Sequence, residues 1–292
     1  MSTEPRTFGV DLRPVPADQA TLPVTDLTLR RGYGAFDFLR VEDGVPLFVD
    51  DHLARFDASA ELMGLAPRPT PAELRAHLRE LIQANGAGRY AFQLFLTGGD
   101  PVGGFEPGTP RTLVLAVDPP SYPASAYEDG VALLPHRFER DLPAAKTTNY
   151  FTAVRLRDAM REAGAMDVLY HDGTRALEAT RSNLFVACGD GRFATPGRGV
   201  LRGITRLHVM RALQDQARVD ERDVSLEELY AAPEAFMTST TKGIMPVVRV
   251  GDRTIGDGRP GPGTREVETR FRAYRDAWLA EAAPAWQVGT AA

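Results

Sequence analysis

Apolar positions along the chain follow two rhythms. Alternation marks half-buried strands, and recurrence at three and four marks amphipathic helices. Gly32-Tyr33-Gly34-Ala35-Phe36-Asp37-Phe38-Leu39-Arg40-Val41 reads as a turn and a strand. Glu42-Asp43-Gly44-Val45 is a hairpin signal of the Asp-Gly type, and residues 46–49 are the return strand. Asp50 is placed to cap a helix from Asp51 that aligns Leu53, Phe56, Ala60 and Met63 and stops at Gly64. A second helix, residues 71–85, opens on Thr70-Pro71 and ends at Gly86. Strands follow at 89–97 and 112–118. The Gly- and Pro-rich loop between them, residues 98–110, is long enough to be functional in its own right. This half is a set of strands with two helices packed on them.

Pro119, Pro120 and Pro123 favour an extended connector. The chain is therefore expected to divide into residues 1–118, a linker 119–127 and residues 128–292. Strands are predicted at 130–134 and 137–141. The turn Ala145-Lys146-Thr147-Thr148-Asn149-Tyr150 then runs into a helical pattern with Ala153, Leu156, Met160 and Ala163 on one face. His171-Asp172-Gly173 separates strands at 166–170 and 176–180, and Gly189-Asp190-Gly191 separates strands at 183–188 and 192–195. Leu201-Arg202-Gly203-Ile204-Thr205 opens a helix carrying Leu207, Met210, Leu213 and Ala217. Ser225-Leu226-Glu227-Glu228 is a capping box, and a strand over 235–240 ends in Thr240-Thr241. A last helix aligns Val267, Phe271, Tyr274 and Trp278, and the tail from Ala282 reads as loose. There is no internal repeat.

Composition narrows the function classes. Of the 292 residues, 43% are hydrophobic and 25% charged, as in ordinary soluble globular proteins. A net charge of −5 without a basic run argues against nucleic acid. No stretch has the apolar length of a membrane span, and the N-terminus lacks the parts of a signal peptide. Cys188 is the only cysteine, and His52, His77, His136, His171 and His208 show no ligand spacing. A cytoplasmic, metal-independent protein is expected.

The candidate chemistry centres on Lys146, a lysine in a strand-to-helix turn that has little structural work to do there. Gly203-Ile204-Thr205 at a helix start offers backbone N–H groups and a hydroxyl to an anion. The hydroxyls of Thr238-Ser239-Thr240-Thr241 and the guanidinium of Arg55 add to that set. Each has a plain alternative, as a helix turn, strand-end threonines or a surface arginine. No Walker loop is present, and Gly32-Tyr33-Gly34 lacks the third glycine of a dinucleotide fingerprint. A phosphate reader without nucleotide motifs, together with a lysine in a turn, points to pyridoxal 5'-phosphate. That cofactor needs a lysine for its Schiff base, a partner for its ring nitrogen and donors for its phosphate. Glu178 is the candidate nitrogen partner.

Together these segments resemble the class IV aminotransferases, the fold-type IV pyridoxal-phosphate enzymes. The resemblance runs from about Gly32 to Phe271. It rests on residues 34–40, His52-Leu53-Ala54-Arg55, Lys146 to Tyr150, 178–185, Leu201 to Thr205 and 240–246, in the family's order. It implies an α+β chain of two domains, an N-terminal α/β sandwich and a C-terminal pseudo-barrel, with the cofactor between them and a homodimer completing the site. By the same resemblance Lys146 forms the Schiff base and shuttles the substrate proton. Glu178 pairs with the pyridine nitrogen, and Tyr150 approaches the phenolic oxygen. Leu201 packs against the ring. Arg55, Gly203, Ile204, Thr205 and Thr240 hold the phosphate, and Phe36 and Thr241 line the substrate side.

Within the family the signals thin. The Lys146 to Tyr150 segment is one residue tighter than the usual branched-chain form. Leu96-Thr97 stands where the familiar D-amino-acid transaminases carry a carboxylate-trapping arginine, and Phe92-Gln93 stands near the branched-chain arginine. Arg30 or Arg31, Arg89, Arg181 and Lys242 are the cations that could replace these traps, with Arg181 favoured. The pattern is similar to a less typical subgroup of D-amino-acid transaminases. A transaminase acting on D-amino acids with 2-oxoglutarate as acceptor is expected. The rivals are a branched-chain L-amino-acid aminotransferase, aminodeoxychorismate lyase and, in a different class, a non-enzymatic cofactor-binding protein.

Overall fold

The computed structural model describes residues 6–189, 191–214 and 218–286, and the chain divides into two units. The first is Met1–Pro120 with Ala145–Asn149 and Trp278–Ala292; the second is Ser121–Ala144 with Tyr150–Ala277. The turn bearing Lys146 thus belongs with the first unit, although it lies within the stretch expected as the second domain.

The first unit is built from β1 (Thr7–Val10), β2 (Arg13–Pro16), α1 (Leu27–Arg31), β3 (Gly34–Glu42), β4 (Val45–Pro46), α2 (Val49–Leu62), α3 (Pro71–Asn85), β5 (Tyr90–Thr97) and β6 (Thr112–Val117). Its six strands form one antiparallel sheet in the order β2-β1-β6-β5-β3-β4. Alternation along β3 buries Ala35, Asp37, Leu39 and Val41 and leaves Phe36, Phe38 and Arg40 half-buried. Leu53, Phe56 and Ala60 of α2 and Leu74, Leu78 and Leu81 of α3 complete the core. The ends of α3 are those expected. Thr70 Oγ1 accepts from the Glu73 amide at 3.2 Å and Glu73 Oε2 accepts from the Thr70 amide at 2.8 Å, a reciprocal cap. Helix α2 starts two residues earlier than expected, after Phe48 in the left-handed region at φ 53°, with no side-chain cap from Asp50.

The second unit contains α4 (Ser125–Glu128), β7 (Val131–Arg137), α5 (Phe151–Arg155), α6 (Arg157–Glu162), β8 (Asp167–His171), β9 (Arg175–Ala179), β10 (Ser182–Ala187), β11 (Phe193–Pro196) and α7 (Ile204–Ala212). It continues through β12 (Val219–Arg222), β13 (Val224–Ser225), α8 (Leu226–Ala231), β14 (Ala235–Ser239), β15 (Gly243–Val250), β16 (Arg253–Thr254) and α9 (Pro262–Trp286), the last of which runs on into residues of the first unit. Strands β10-β14-β15-β7-β8-β9 pair in succession, and β9 pairs back onto β10, which closes a six-stranded ring. This is the pseudo-barrel of an α+β fold. Strand β10 makes closure possible by dividing its edge: Ser182 and Asn183 pair with β9, and Val186 and Ala187 pair with β11. Leu184, Val186, Met237, Met245 and Val247 share one core, while Phe185 stacks on Phe236 with centroids 4.7 Å apart.

Several details differ from expectation. Residues 138–141 are not a strand, because β7 runs unbroken from Val131 to Arg137. The helical pattern after Tyr150 breaks at Leu156 into α5 and α6. Strands β1, β2, β12, β13, β15 and β16 and the short helices α1 and α4 are additions to the elements that the pattern predicts. The tail is helical to Trp286, whose ring receives the guanidinium groups of Arg75 and Arg79 at 4.9 and 4.8 Å. Ala217 and Asp190 lie outside the described residues.

Candidate active site

Strand β4 is two residues long, so most of one edge of β3 has no strand partner from it. The segment around Lys146 takes up that edge. The Phe36 amide donates to Lys146 O at 2.9 Å, Thr147 bridges Ala35, and the Thr148 amide donates to Gly34 O at 2.9 Å. From α2, Ser59 Oγ accepts from the Lys146 amide at 3.1 Å. The lysine backbone is thus held by both sheet and helix. Its Nζ lies 4.3 Å from the centre of the Phe36 ring, which stacks on Phe95 at 6.0 Å.

Beneath this face lies a buried ionic cluster. Asp37 Oδ2 accepts from Arg55 Nε at 2.9 Å, and Oδ1 accepts from Arg55 Nη2 at 2.8 Å. His52 Nδ1 is 2.7 Å from Asp37 Oδ1. Burial alone would raise the Asp37 carboxyl, but Arg55 and His52 outweigh it and hold Asp37 well below the usual carboxylate range. Burial lowers His52, against the pull of Asp37, and Arg55 and Lys146 add to the lowering, so His52 is neutral at pH 7. The fork of Arg55 is fixed in direction by this bidentate contact. The sequence reading makes Arg55 a phosphate ligand and gives Asp37 and His52 no role. The signal for Asp37 is there: the alternation that turns Leu39 and Val41 inward turns Asp37 inward too.

In the second unit, Glu178 lies one residue before the end of β9 among defined partners. Its Oε1 accepts from Arg140 Nε at 2.8 Å and Nη2 at 2.7 Å. Its Oε2 accepts from the Leu201 amide at 3.0 Å, and Asn183 Nδ2 donates to Leu201 O at 2.7 Å. Sequence reasoning misses Arg140, since Phe138-Glu139-Arg140-Asp141 reads as an ordinary charged surface run. Tyr150 precedes α5 and is half-buried. Tyr170 is pushed up to about 12 by burial, with Asp167, Tyr150 and Glu178 acting in the same direction.

Helix α7 begins after Gly203 with no side-chain cap on its first turn, where Ile204 and Thr205 are buried. A Cβ on Gly203 would sit 2.0 Å from Asn183 Oδ1, so only glycine lets the chain approach Asn183 this closely. The buried Thr238 Oγ1, on the strand that pairs with β10, has no hydrogen-bond partner. An uncapped helix N-terminus and an unsatisfied hydroxyl suit a phosphate, and the acidic Glu178 suits a protonated ring nitrogen. Thr240 and Thr241 occupy the turn between β14 and β15, with Thr241 Oγ1 3.4 Å from Tyr122 Oη and 3.4 Å from Ser239 Oγ.

Two of the expected substrate cations are placed elsewhere. Lys242 is 2% exposed, and its Nζ donates to Asp167 Oδ2 and Ser182 Oγ, both at 3.0 Å, so its charge is spent inside the barrel wall. Arg89 precedes β5, six positions from Phe95 or about 20 Å along the strand, and pairs with Glu42 at 3.4 Å. Arg30 is exposed in the last turn of α1, and Arg181 is exposed in the turn between β9 and β10. The chain has two lysines, Lys146 and Lys242. Lys242 is committed to Asp167, and Lys146 lies over the Phe36 ring. Among the described residues no acidic, histidine or cysteine cluster could hold a metal, and no helix is long and apolar enough to cross a membrane.

The sequence profile described as amino-transferase class IV matches residues 34–250. The chain belongs to the class IV aminotransferases. This aminotransferase is 29% identical to the D-alanine aminotransferase of Bacillus licheniformis over 87% of its own length and 92% of the relative's. It is 28% identical to a putative branched-chain-amino-acid aminotransferase of Methanocaldococcus jannaschii, over 89% and 93%. The fold superimposes on the T.th. branched-chain amino acid aminotransferase solved with pyridoxamine 5'-phosphate, with a TM-score of 0.86, 24% identity and 98% coverage of both chains. Pyridoxal 5'-phosphate is the cofactor of the family and of this enzyme.

Proposed function

We propose that this aminotransferase moves an amino group between a D-amino acid and a 2-oxo acid, with 2-oxoglutarate as acceptor, working as a cytoplasmic homodimer. The observation that carries the chemistry is that one of two lysines is consumed by a buried ion pair while the other lies over an aromatic ring. Pyridoxal phosphate, when bound, supplies a carbonyl and an electron-withdrawing ring. In this reading Lys146 Nζ holds the cofactor and then carries the proton to and from the substrate Cα. Glu178 keeps the ring nitrogen protonated, with Arg140 orienting its carboxylate. Tyr150 donates to the phenolic oxygen and Leu201 packs on the ring. Arg55, Gly203, Ile204, Thr205 and Thr240 bind the phosphate through guanidinium, backbone amides and hydroxyl. Phe36 and Thr241 line the substrate side, and Arg30 and Arg181 remain as cations for substrate carboxylates.

The D-amino-acid reading is supported by the D-alanine aminotransferase relative, while β5, with Phe95 and Gln93 opposite Phe36 and Phe38, carries neither the usual D-type nor the branched-chain arginine and leaves the carboxylates to other cations. The test is a half-reaction. The yellow enzyme is mixed separately with D-alanine, D-glutamate, L-leucine and L-glutamate, and conversion to the pyridoxamine form is followed by absorbance. Conversion by the D-amino acids alone is the expected result. Conversion by L-leucine and L-glutamate alone would make the enzyme a branched-chain aminotransferase, and no conversion by any donor would favour the lyase chemistry.

The role given to Glu178 predicts that Glu178→Gln lowers kcat by about tenfold or more, a transition-state loss of about 1.4 kcal/mol, while the melting temperature falls only modestly. Turnover at saturating cofactor, measured beside a thermal melt, checks this. Unchanged turnover would remove Glu178 from the ring nitrogen.

A further inference from the structure

Ala179 pairs with Ser182, so Thr180 and Arg181 form a two-residue turn with Arg181 exposed at its tip. Both chain neighbours of Arg181 are tied to one buried ion pair. Thr180 Oγ1 donates to Asp167 Oδ1, and the Thr180 amide donates to Val168 O at 3.1 Å. On the other side, Ser182 Oγ accepts from Lys242 Nζ at 3.0 Å, and the same Nζ donates to Asp167 Oδ2 at 3.0 Å. Asp167 Oδ1 also accepts from the Val168 amide at 2.9 Å. Lys242 is itself fixed, its amide donating to Ser239 Oγ at 3.1 Å and its carbonyl accepting from Tyr127 Oη at 3.0 Å. One carboxylate and one ammonium therefore join the start of β8, the β9–β10 turn and the β14–β15 turn.

A buried ion pair seldom stabilises a fold more than apolar residues of the same volume would, so stability alone is a weak account of this one. What the pair does impose is geometry, and the residue it brackets on both sides is Arg181. We propose that Asp167 and Lys242 are positioning residues that hold Arg181 for the second carboxylate of a dicarboxylic amino acid or 2-oxo acid. The planar guanidinium suits that carboxylate by bidentate contact. The proposal rests on the reading of this enzyme as a transaminase in which Arg181 meets substrate.

The test is a cycle of four enzymes: wild type, Arg181→Ala, the double variant Asp167→Asn/Lys242→Met, and the triple variant. Each is assayed with glutamate and with alanine, in whichever enantiomer the wild type accepts. Arg181→Ala should raise KM for glutamate about tenfold and KM for alanine by a clearly smaller factor. The double variant, which removes both charges together, should raise KM for glutamate at least about fivefold with kcat for alanine within about twofold. The triple variant should be no worse than Arg181→Ala, because positioning residues act only through the group they position. Thr180→Val releases one side of the bracket without touching a charge and should raise KM for glutamate in the same direction by a smaller factor. It decides the matter alone if the double variant does not fold. An unchanged KM, an equal rise for both substrates or an additive triple variant would overturn the positioning role. Failure of Arg181→Ala itself to distinguish glutamate from alanine would overturn the reading of Arg181, and the proposal with it.

Discussion

Lys146→Ala is expected to lower transamination by at least about 10³-fold, since in the proposed reading the same side chain holds the cofactor and moves the proton. The fold should survive the change. The hydrogen bonds that place residue 146 are made by its backbone, from the Phe36 amide and to Ser59 Oγ, and alanine keeps both. Inside this unit the substitution removes the cation over the Phe36 ring, worth about 0.5–1 kcal/mol for a partly exposed pair. Single-turnover kinetics beside a thermal melt check the prediction. Near-normal turnover would remove the central role of Lys146, and a collapsed melting temperature would show that the side chain is structural.

The largest effect on stability is expected from Asp37→Asn. Its carboxylate is fully buried and accepts from Arg55 twice, from His52 and from the Phe38 amide. The amide variant leaves the Arg55 guanidinium half-buried without its counter-charge, a loss of about 3 kcal/mol or more. Cofactor retention should fall with it, because Asp37 fixes the direction in which Arg55 points. The pH dependence carries a sign. Asp37 is held well below the usual carboxylate range in the folded chain, against about 3.9 when unfolded. Its contribution is therefore complete above pH ~4 and is lost as the pH falls towards the lower folded value. The stability gap between wild type and variant should shrink by about 1 kcal/mol between pH 5 and pH 3. Urea titrations at the two values measure it, and a gap that widens with acid would contradict the assignment.

Where structure depends on neighbours in the chain, the sequence is sufficient. Thr70-Pro71, Glu73 and Gly86 define α3 at both ends, and the alternation from Ala35 to Val41 defines which side of β3 faces the helices. Where it depends on distant partners, it is not. Lys242 next to Thr241 looks like a substrate cation until Asp167, seventy-five positions away, is found beside it. Arg140 looks like surface charge until it meets Glu178, thirty-eight positions on. That Lys146 joins the first sheet depends on β4 being short enough to leave the edge of β3 open, a consequence of Phe48 turning the chain early into α2. Closure of the ring requires β15, which the hydrophobic pattern does not separate from the turn at Thr240-Thr241. The order of motifs nevertheless carries the family, because each motif lies in a turn or at an element end whose local chemistry is readable.

The most direct measurement is chemical. The holoenzyme is reduced with borohydride, which fixes the cofactor to whichever lysine holds it, and then digested and mapped by mass spectrometry. With two lysines in the chain the answer is binary. A pyridoxyl group on Lys146 is the result this account predicts. A pyridoxyl group on Lys242, or none on either lysine, would contradict it.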